Sequence, residues 1–213
     1  MINALECDKY VEAFCKDAIK VIKQYNSEIY ARLERKAVKE FYAEDWKGIG
    51  IYSITEPILK WIIFSNLCHK YRMSPECSNF YADGKLLDLC LYLTDDYEKA
   101  PDIAIEMKWA GFRNDKRPSA GWLKQMISDV TKLYQAKTPS NKYFMQFAFI
   151  SQSEWRNLDE KIENTLTDFN NSRKAHKFRN GKLEFLTKER FLTTDNNDKR
   201  VCFVMLVWKI AKN

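Results

Sequence analysis

Apolar positions recur at helical spacing from the start of the chain. Tyr10, Val11, Phe14, Cys15, Ala18, Ile19 and Ile22 stand three or four residues apart, which predicts a helix over residues 5–25. Residues 28–43 carry the same period on a charged background, with Ile29, Leu33, Ala37 and Phe41 on one side, and predict a second helix. Gly48 and Gly50 break the pattern. Thr55 or Ser53 then caps a third helix that tolerates Pro57 in its first turn and turns Ile58, Leu59, Ile62, Ile63 and Leu67 toward a core.

The period then shifts from helix to strand. KLLDLCLYL (85–93) and DIAIEMKWA (102–110) predict a pair of strands joined by the turn TDDYEKAP. The loop GFRNDKRPSAG leads into a helix, WLKQMISDVTKLYQ, and then into the apolar strand KYFMQFAFI (142–150). A helix over 154–170, a short strand LEFLT and the run VCFVMLVW (201–208) follow. That last run is apolar on both faces and must be central or covered. The order predicts an α/β fold, a mixed central sheet flanked by helices, in a single domain: residues 1–50 form an N-terminal helical extension and 51–213 the core.

Composition narrows the function classes. Of 213 residues 46% are hydrophobic, with 13 Phe, 11 Tyr and 6 Trp, enough to bury a substantial interior and to argue against disorder. No apolar run approaches the ~18 residues of a membrane helix, and MINALECDKY has no basic-then-apolar leader, so a cytoplasmic protein without a membrane partner is expected. The 6 cysteines are scattered through apolar segments, which suits reduced, buried thiols. A net charge of +6 is compatible with a polyanionic partner.

Candidate chemistry gathers on the strand pair. Alternation puts Glu106 and Lys108 on one face of their strand, with Ile103, Ile105 and Met107 on the other. On the preceding strand Leu87, Leu89, Leu91 and Leu93 share a face, leaving Asp88 opposite them with Leu86, Cys90 and Tyr92. An acid among apolar neighbours is costly to bury without a partner, and a metal or a lysine on the next strand would be one. Asp102 lies on the same extended segment as Glu106, with Cα atoms about 13 Å apart at ~3.3 Å per residue, too far to share a small cation. Asp88, one strand over, is the better partner.

An acid on one strand followed by Glu-x-Lys on its hairpin neighbour, here Asp88 and then Glu106-Met107-Lys108, with a helix ahead and a helix behind, resembles the PD-(D/E)xK, or restriction-endonuclease-like, nuclease superfamily over residues 53–150. The resemblance implies a restriction-endonuclease-like core and Mg2+-dependent phosphodiester hydrolysis, with Mn2+ as a substitute. Asp88 and Glu106 would hold the metal and Lys108 would orient the attacking water and offset charge on the phosphate. Glu56, a third candidate metal ligand, matches an acid that some members carry on the preceding helix, and Gln125, a candidate nucleic-acid contact, matches with Asp129 and Lys132 polar positions on the following one. The family's proline before the first acid is replaced by Leu87.

Several of these residues also have plainer readings. Ser53-x-x-Glu56 fits a capping box, and Gln125, Asp129 and Lys132 fit a solvated helix face. Arg113, Lys116 and Arg117, and a second basic group over 173–182, fit either phosphate contacts or hydrated loops. The expected function is a DNA endonuclease of restriction or defence type, with RNA left open as substrate and with the charged helix at 28–43 able to support a homodimer. The alternative is a non-catalytic module that keeps the nuclease fold and binds nucleic acid or protein.

Overall fold

Six strands form one sheet: β1 (Met73–Cys77), β2 (Leu87–Leu91), β3 (Ile103–Trp109), β4 (Asn141–Ser151), β5 (Gly181–Thr194) and β6 (Arg200–Lys212), in the order β1-β2-β3-β4-β6-β5. The computed structural model describes residues 3–33, 55–78, 81, 84–94, 100–109, 120–136, 141–171, 178, 181–194 and 200–212. Only β3 and β4 run parallel, and the chain needs a crossover to join them, which helix α3 (Ala120–Gln135) provides. All other neighbours are antiparallel, so the sheet is mixed and the fold is α/β.

Helices cover both faces. Helices α1 (Ala4–Leu33) and α2 (Glu56–Leu67) lie on one side, where Val11, Phe14, Ile22, Leu59 and Ile63 pack with Leu89, Ile103, Ile105, Met107, Met145 and Phe203. On the other side α3 and α5 (Leu158–Asn171) pack Met126, Val130, Ile162 and Phe169 against Cys90, Ala104, Phe144, Leu206 and Trp208. The doubly apolar run in β6 is explained by this arrangement, because Phe203, Met205 and Val207 serve one core and Cys202, Val204, Leu206 and Trp208 the other. α1 is fastened to the sheet by polar contacts as well: Asp8 accepts from Tyr143 at 2.7 Å and from Lys209 at 2.6 Å.

Four local expectations change. α1 is one helix through Leu33, with no break near residue 26; Asn26, 6% exposed, donates to Thr193 on β5 at 3.2 Å, and a satisfied buried amide lets the helix continue. β1 was hidden by Pro75 and by Glu76, whose φ of 49° is a turn conformation; an edge strand accepts both. The short strand LEFLT is part of the 14-residue β5, whose Lys188, Glu189 and Arg190 suit a sheet edge. The helix over 154–170 divides into α4 (Gln152–Arg156) and α5, with a Ser151–Glu154 capping box at its start. The expected second helix beyond Leu33, Gly48, Gly50, Ser53, the loop with Arg113, Lys116 and Arg117, and basic residues 173–177 and 179 lie outside the described residues.

One strand face also differs. Leu89 and Leu91 do face α1 and α2, but Leu87 joins the opposite core together with its β1 partner Cys77. The β1–β2 ribbon turns over between Pro75↔Leu89 and Cys77↔Leu87, at the level of Glu76 and Asp88. Asp88 therefore sits at the point where the strand changes face.

Candidate active site

β3 continues past the end of its main-chain pairing with β2, and that unpaired stretch builds the site. Main-chain pairing of β2 with β3 is regular through Leu91↔Ile103, Cys90↔Ala104 and Leu89↔Ile105. One residue further the same register sets Asp88 opposite Glu106. There the ladder gives way to side chains: the Met107 N–H donates to Asp88 Oδ2 at 2.7 Å and the Trp109 N–H donates to Glu56 Oε2 at 2.8 Å. Two alternate N–H groups on the free edge of β3 thus orient two carboxylates from different elements. A buried N–H requires an acceptor, and here the acceptors are acids.

Glu56 is the first residue of α2, and its carboxylate is not spent on a capping box. Thr55 occupies the N-cap position without a side-chain cap bond, while Glu56 Oε1 accepts from Lys60 at 2.9 Å and Oε2 lies 3.7 Å from Lys108 Nζ. Lys60, one helical turn on, also donates to Asp88 Oδ1 at 2.6 Å. The lysine ammonium thereby bridges the helix acid and the strand acid. Glu106, 9% exposed, accepts from the Tyr81 hydroxyl at 2.8 Å. Lys132 of α3 stands 4.6 Å from the centroid of the Tyr81 ring, a cation–π contact on the far side of the same phenol.

The electrostatics follow from crowding acids in a half-dry space. Burial pushes the Glu106 carboxyl up to about 7, and repulsion from Asp88 adds to the rise. Burial likewise raises Asp88 despite the Lys60 ammonium and the Met107 N–H, and raises Asp129 of α3 despite Lys108 and Lys132. Glu56 goes the other way: burial would raise it, but the Trp109 N–H, Lys60 and Lys108 outweigh burial and hold it below the usual range. For Lys60, burial favours the neutral amine, yet Asp88 and Glu56 together outweigh it and keep the ammonium.

Of the residues singled out in the sequence, Glu56, Asp88, Glu106 and Lys108 come together at this end of the sheet, with Asp129 and Lys132 facing them from α3. Gln125 is exposed a turn before Asp129 and joins none of the contacts described. Asp102 is engaged elsewhere, accepting from the Leu93 N–H at 2.8 Å to close the β2–β3 hairpin. Lys60 and Tyr81 were not anticipated. The i, i+4 spacing of Glu56 and Lys60 was a readable signal for the first. Tyr81 falls between strands, where no periodicity marks it.

The donor chemistry fits a small hard cation. Burial and the Asp88 charge raise the Glu106 carboxyl, burial and the Glu56 charge raise Asp88, and a divalent ion would relieve that crowding of negative charge. Mg2+ keeps several waters and is commonly bound through one or two carboxylates. Among the described residues no three His, Cys, Asp or Glu side chains are gathered closely enough to hold a metal together. Comparison of the chain with models of known protein families, with curated proteins and with solved structures found no match.

Proposed function

We propose that this protein is a metal-dependent nuclease that hydrolyses phosphodiester bonds, with DNA as the preferred substrate. The observation that carries this reading is the gathering of Asp88, bonded to the Met107 N–H, beside Glu106, whose carboxyl feels the Asp88 charge, with Lys108 two residues along the same strand and Glu56 anchored to the Trp109 N–H. An acid, a Glu-x-Lys and a helix-borne acid meet at the end of a hairpin within a sheet covered on both faces. This is the arrangement that the resemblance to the PD-(D/E)xK nucleases implies.

Asp88 and Glu106 would hold the divalent ion, with Glu56 held close enough to Lys60 and Lys108 to balance their charge. The ion would lower the pKa of a bound water and neutralise charge on the phosphate. Tyr81 fixes the Glu106 carboxyl by its hydroxyl, and the Met107 N–H fixes Asp88, so both acids are preorganised by the fold. Lys108 is half-buried beside Glu56 with its ammonium available to place a water and offset developing negative charge. A lysine suits that role because its ammonium is a compact charge on a flexible stem, whereas a planar guanidinium would sit elsewhere.

Single-turnover cleavage of plasmid DNA and of an RNA strand in Mg2+ and Mn2+ tests the reading. Glu106→Ala should abolish metal-dependent cleavage. Lys108→Met should still bind substrate in Ca2+ but lose on the order of 10²-fold or more in rate, the loss typical of one preorganised stabilising group. Asp102→Ala, whose carboxylate closes the hairpin, should retain the rate if it folds. If the wild type binds nucleic acid but cleaves neither substrate in either metal, the fold serves binding alone.

A further inference from the structure

A cavity of about 240 Å³ opens beside the carboxylates, between α2 and the β1–β2 ribbon. Asp88 and Lys60, the bonded pair of the candidate active site, form part of its lining. Trp61 and Phe64 of α2 and Pro75 and Glu76 of β1 contribute the remaining surfaces that matter here. The cavity is thus continuous with the site through a shared carboxylate and not a separate feature of the surface.

Trp61 is conspicuous in it. α2 buries Leu59, Ile62, Ile63 and Leu67 in the core, and none of that packing needs Trp61, which remains 63% exposed with its ring 5.8 Å from that of Phe64. A large exposed indole next to a lined cavity is an aromatic platform awaiting an apolar face. The charge of the lining decides which part of a polyanion can enter. Glu76 at the rim would repel a further phosphate, whereas a neutral planar ring meets no such penalty. Lys60, whose ammonium donates to Glu56 and Asp88, keeps a third donor for an acceptor on the polar edge of that ring. Glu76 adopts a φ of 49°, a conformation that non-glycine residues take at a cost, and it does so at the rim of this cavity.

We propose that the cavity takes one unpaired nucleobase, stacked on Trp61, from the strand whose phosphate lies at Asp88 and Glu106. The inference rests on the nuclease reading and narrows it. A base in a duplex has both faces covered by its neighbours, so the substrate presents a single strand, a junction or a base swung out of the helix.

Binding measured by anisotropy in Ca2+, where hydrolysis does not interfere, tests this apart from catalysis. The ligands are a short single-stranded oligonucleotide and a fully abasic strand of the same length and charge. Wild type should prefer the base-bearing strand. Trp61→Ala should weaken that strand by about 5- to 150-fold, the loss expected for one stacked base, and leave the abasic strand unchanged. Equal affinity of wild type and Trp61→Ala for the oligonucleotide overturns the proposal. So does an equal loss on both strands, which would trace to the fold or to backbone contacts. A concentration-dependent dimer that Trp61→Ala abolishes would assign the cavity to a second copy of the chain and overturn it as well. Cleavage by wild type without the base-dependent loss leaves the nuclease reading standing and removes only the pocket; no cleavage in Mg2+ or Mn2+ removes the nuclease reading itself.

Discussion

Two of the fold's charged clusters are built on opposite principles. Lys161 of α5 is 4% exposed and donates at 2.6 Å to Glu154 of α4, which completes a capping box with Ser151. Both Glu154 oxygens have a donor, Lys161 on one and the Ser151 N–H on the other. Burial would raise Glu154, but Lys161 and the Ser151 donors outweigh it and its carboxyl lies below the usual range. At the end of β3, by contrast, Glu56, Asp88, Glu106 and Asp129 face Lys60, Lys108 and Lys132, and burial raises three of the four acids. In the first cluster acid and base balance one another, as in a structural ion pair. The second keeps a surplus of acid in a half-dry place, which costs stability.

The largest effect should come from opening the closed cluster. Lys161→Met leaves the Glu154 carboxylate beside a buried methyl thioether and should cost about 3–5 kcal/mol, visible in a chemical or thermal melt. Added Mg2+ should not restore it. A loss below about 1 kcal/mol would place Lys161–Glu154 with ordinary surface pairs and erase the contrast.

Next comes a gain. Glu106→Gln keeps an acceptor for the Tyr81 hydroxyl and removes the repelling charge, so at pH 8 the variant should be more stable than wild type by up to about 3 kcal/mol, the free-energy equivalent of the rise in the Glu106 pKa. The pH dependence has a defined sign. With a folded-state pKa of about 7 against an ordinary 4.5, the folded protein holds this proton where the unfolded chain has lost it, so wild-type stability should fall as pH rises through that window. In Glu106→Gln that component should vanish. Parallel pH–stability curves for the two proteins would show that Glu106 is not under strain.

The smallest effect should be the one most diagnostic of the open cluster. Lys60→Met strips a counter-ion from both Asp88 and Glu56 and should cost about 1–2 kcal/mol, less than for a fully buried pair because water reaches the lysine. Mg2+ should raise the melting temperature of Lys60→Met more than that of wild type, since the divalent ion meets less competition for Asp88. Equal shifts in the two proteins would mean that Lys60 and the metal do not share a ligand.

Some of this was readable one residue at a time and some was not. Alternation along IAIEMKW was enough to separate Glu106 and Lys108 from the apolar face, because a strand's period is local and needs no partner to define it. The reach of Asp102 could be ruled out from chain geometry alone. The turnover of the ribbon at Glu76 and Asp88 was not visible, since it depends on a β1 strand whose Pro75 reads as a break in isolation and becomes acceptable only at a sheet edge. The continuity of α1 past Asn26 likewise depends on Thr193, 167 residues away.

The sequence by itself determined the α/β class, the two-sided burial of β4 and β6, and the identity of the strand acids and lysine, because hydrophobic period and residue type are properties of a short window. Only the tertiary structure decided that β3 continues past its main-chain pairing with β2, so that the Met107 and Trp109 N–H groups must find acceptors in Asp88 and Glu56. It alone brought Lys60 between those acids and Tyr81 onto Glu106. The physical reason is that an unsatisfied N–H or a crowded carboxylate has no identity until the register, the strand lengths and the neighbouring helix are all in place, and none of these is encoded in fewer than several elements at once.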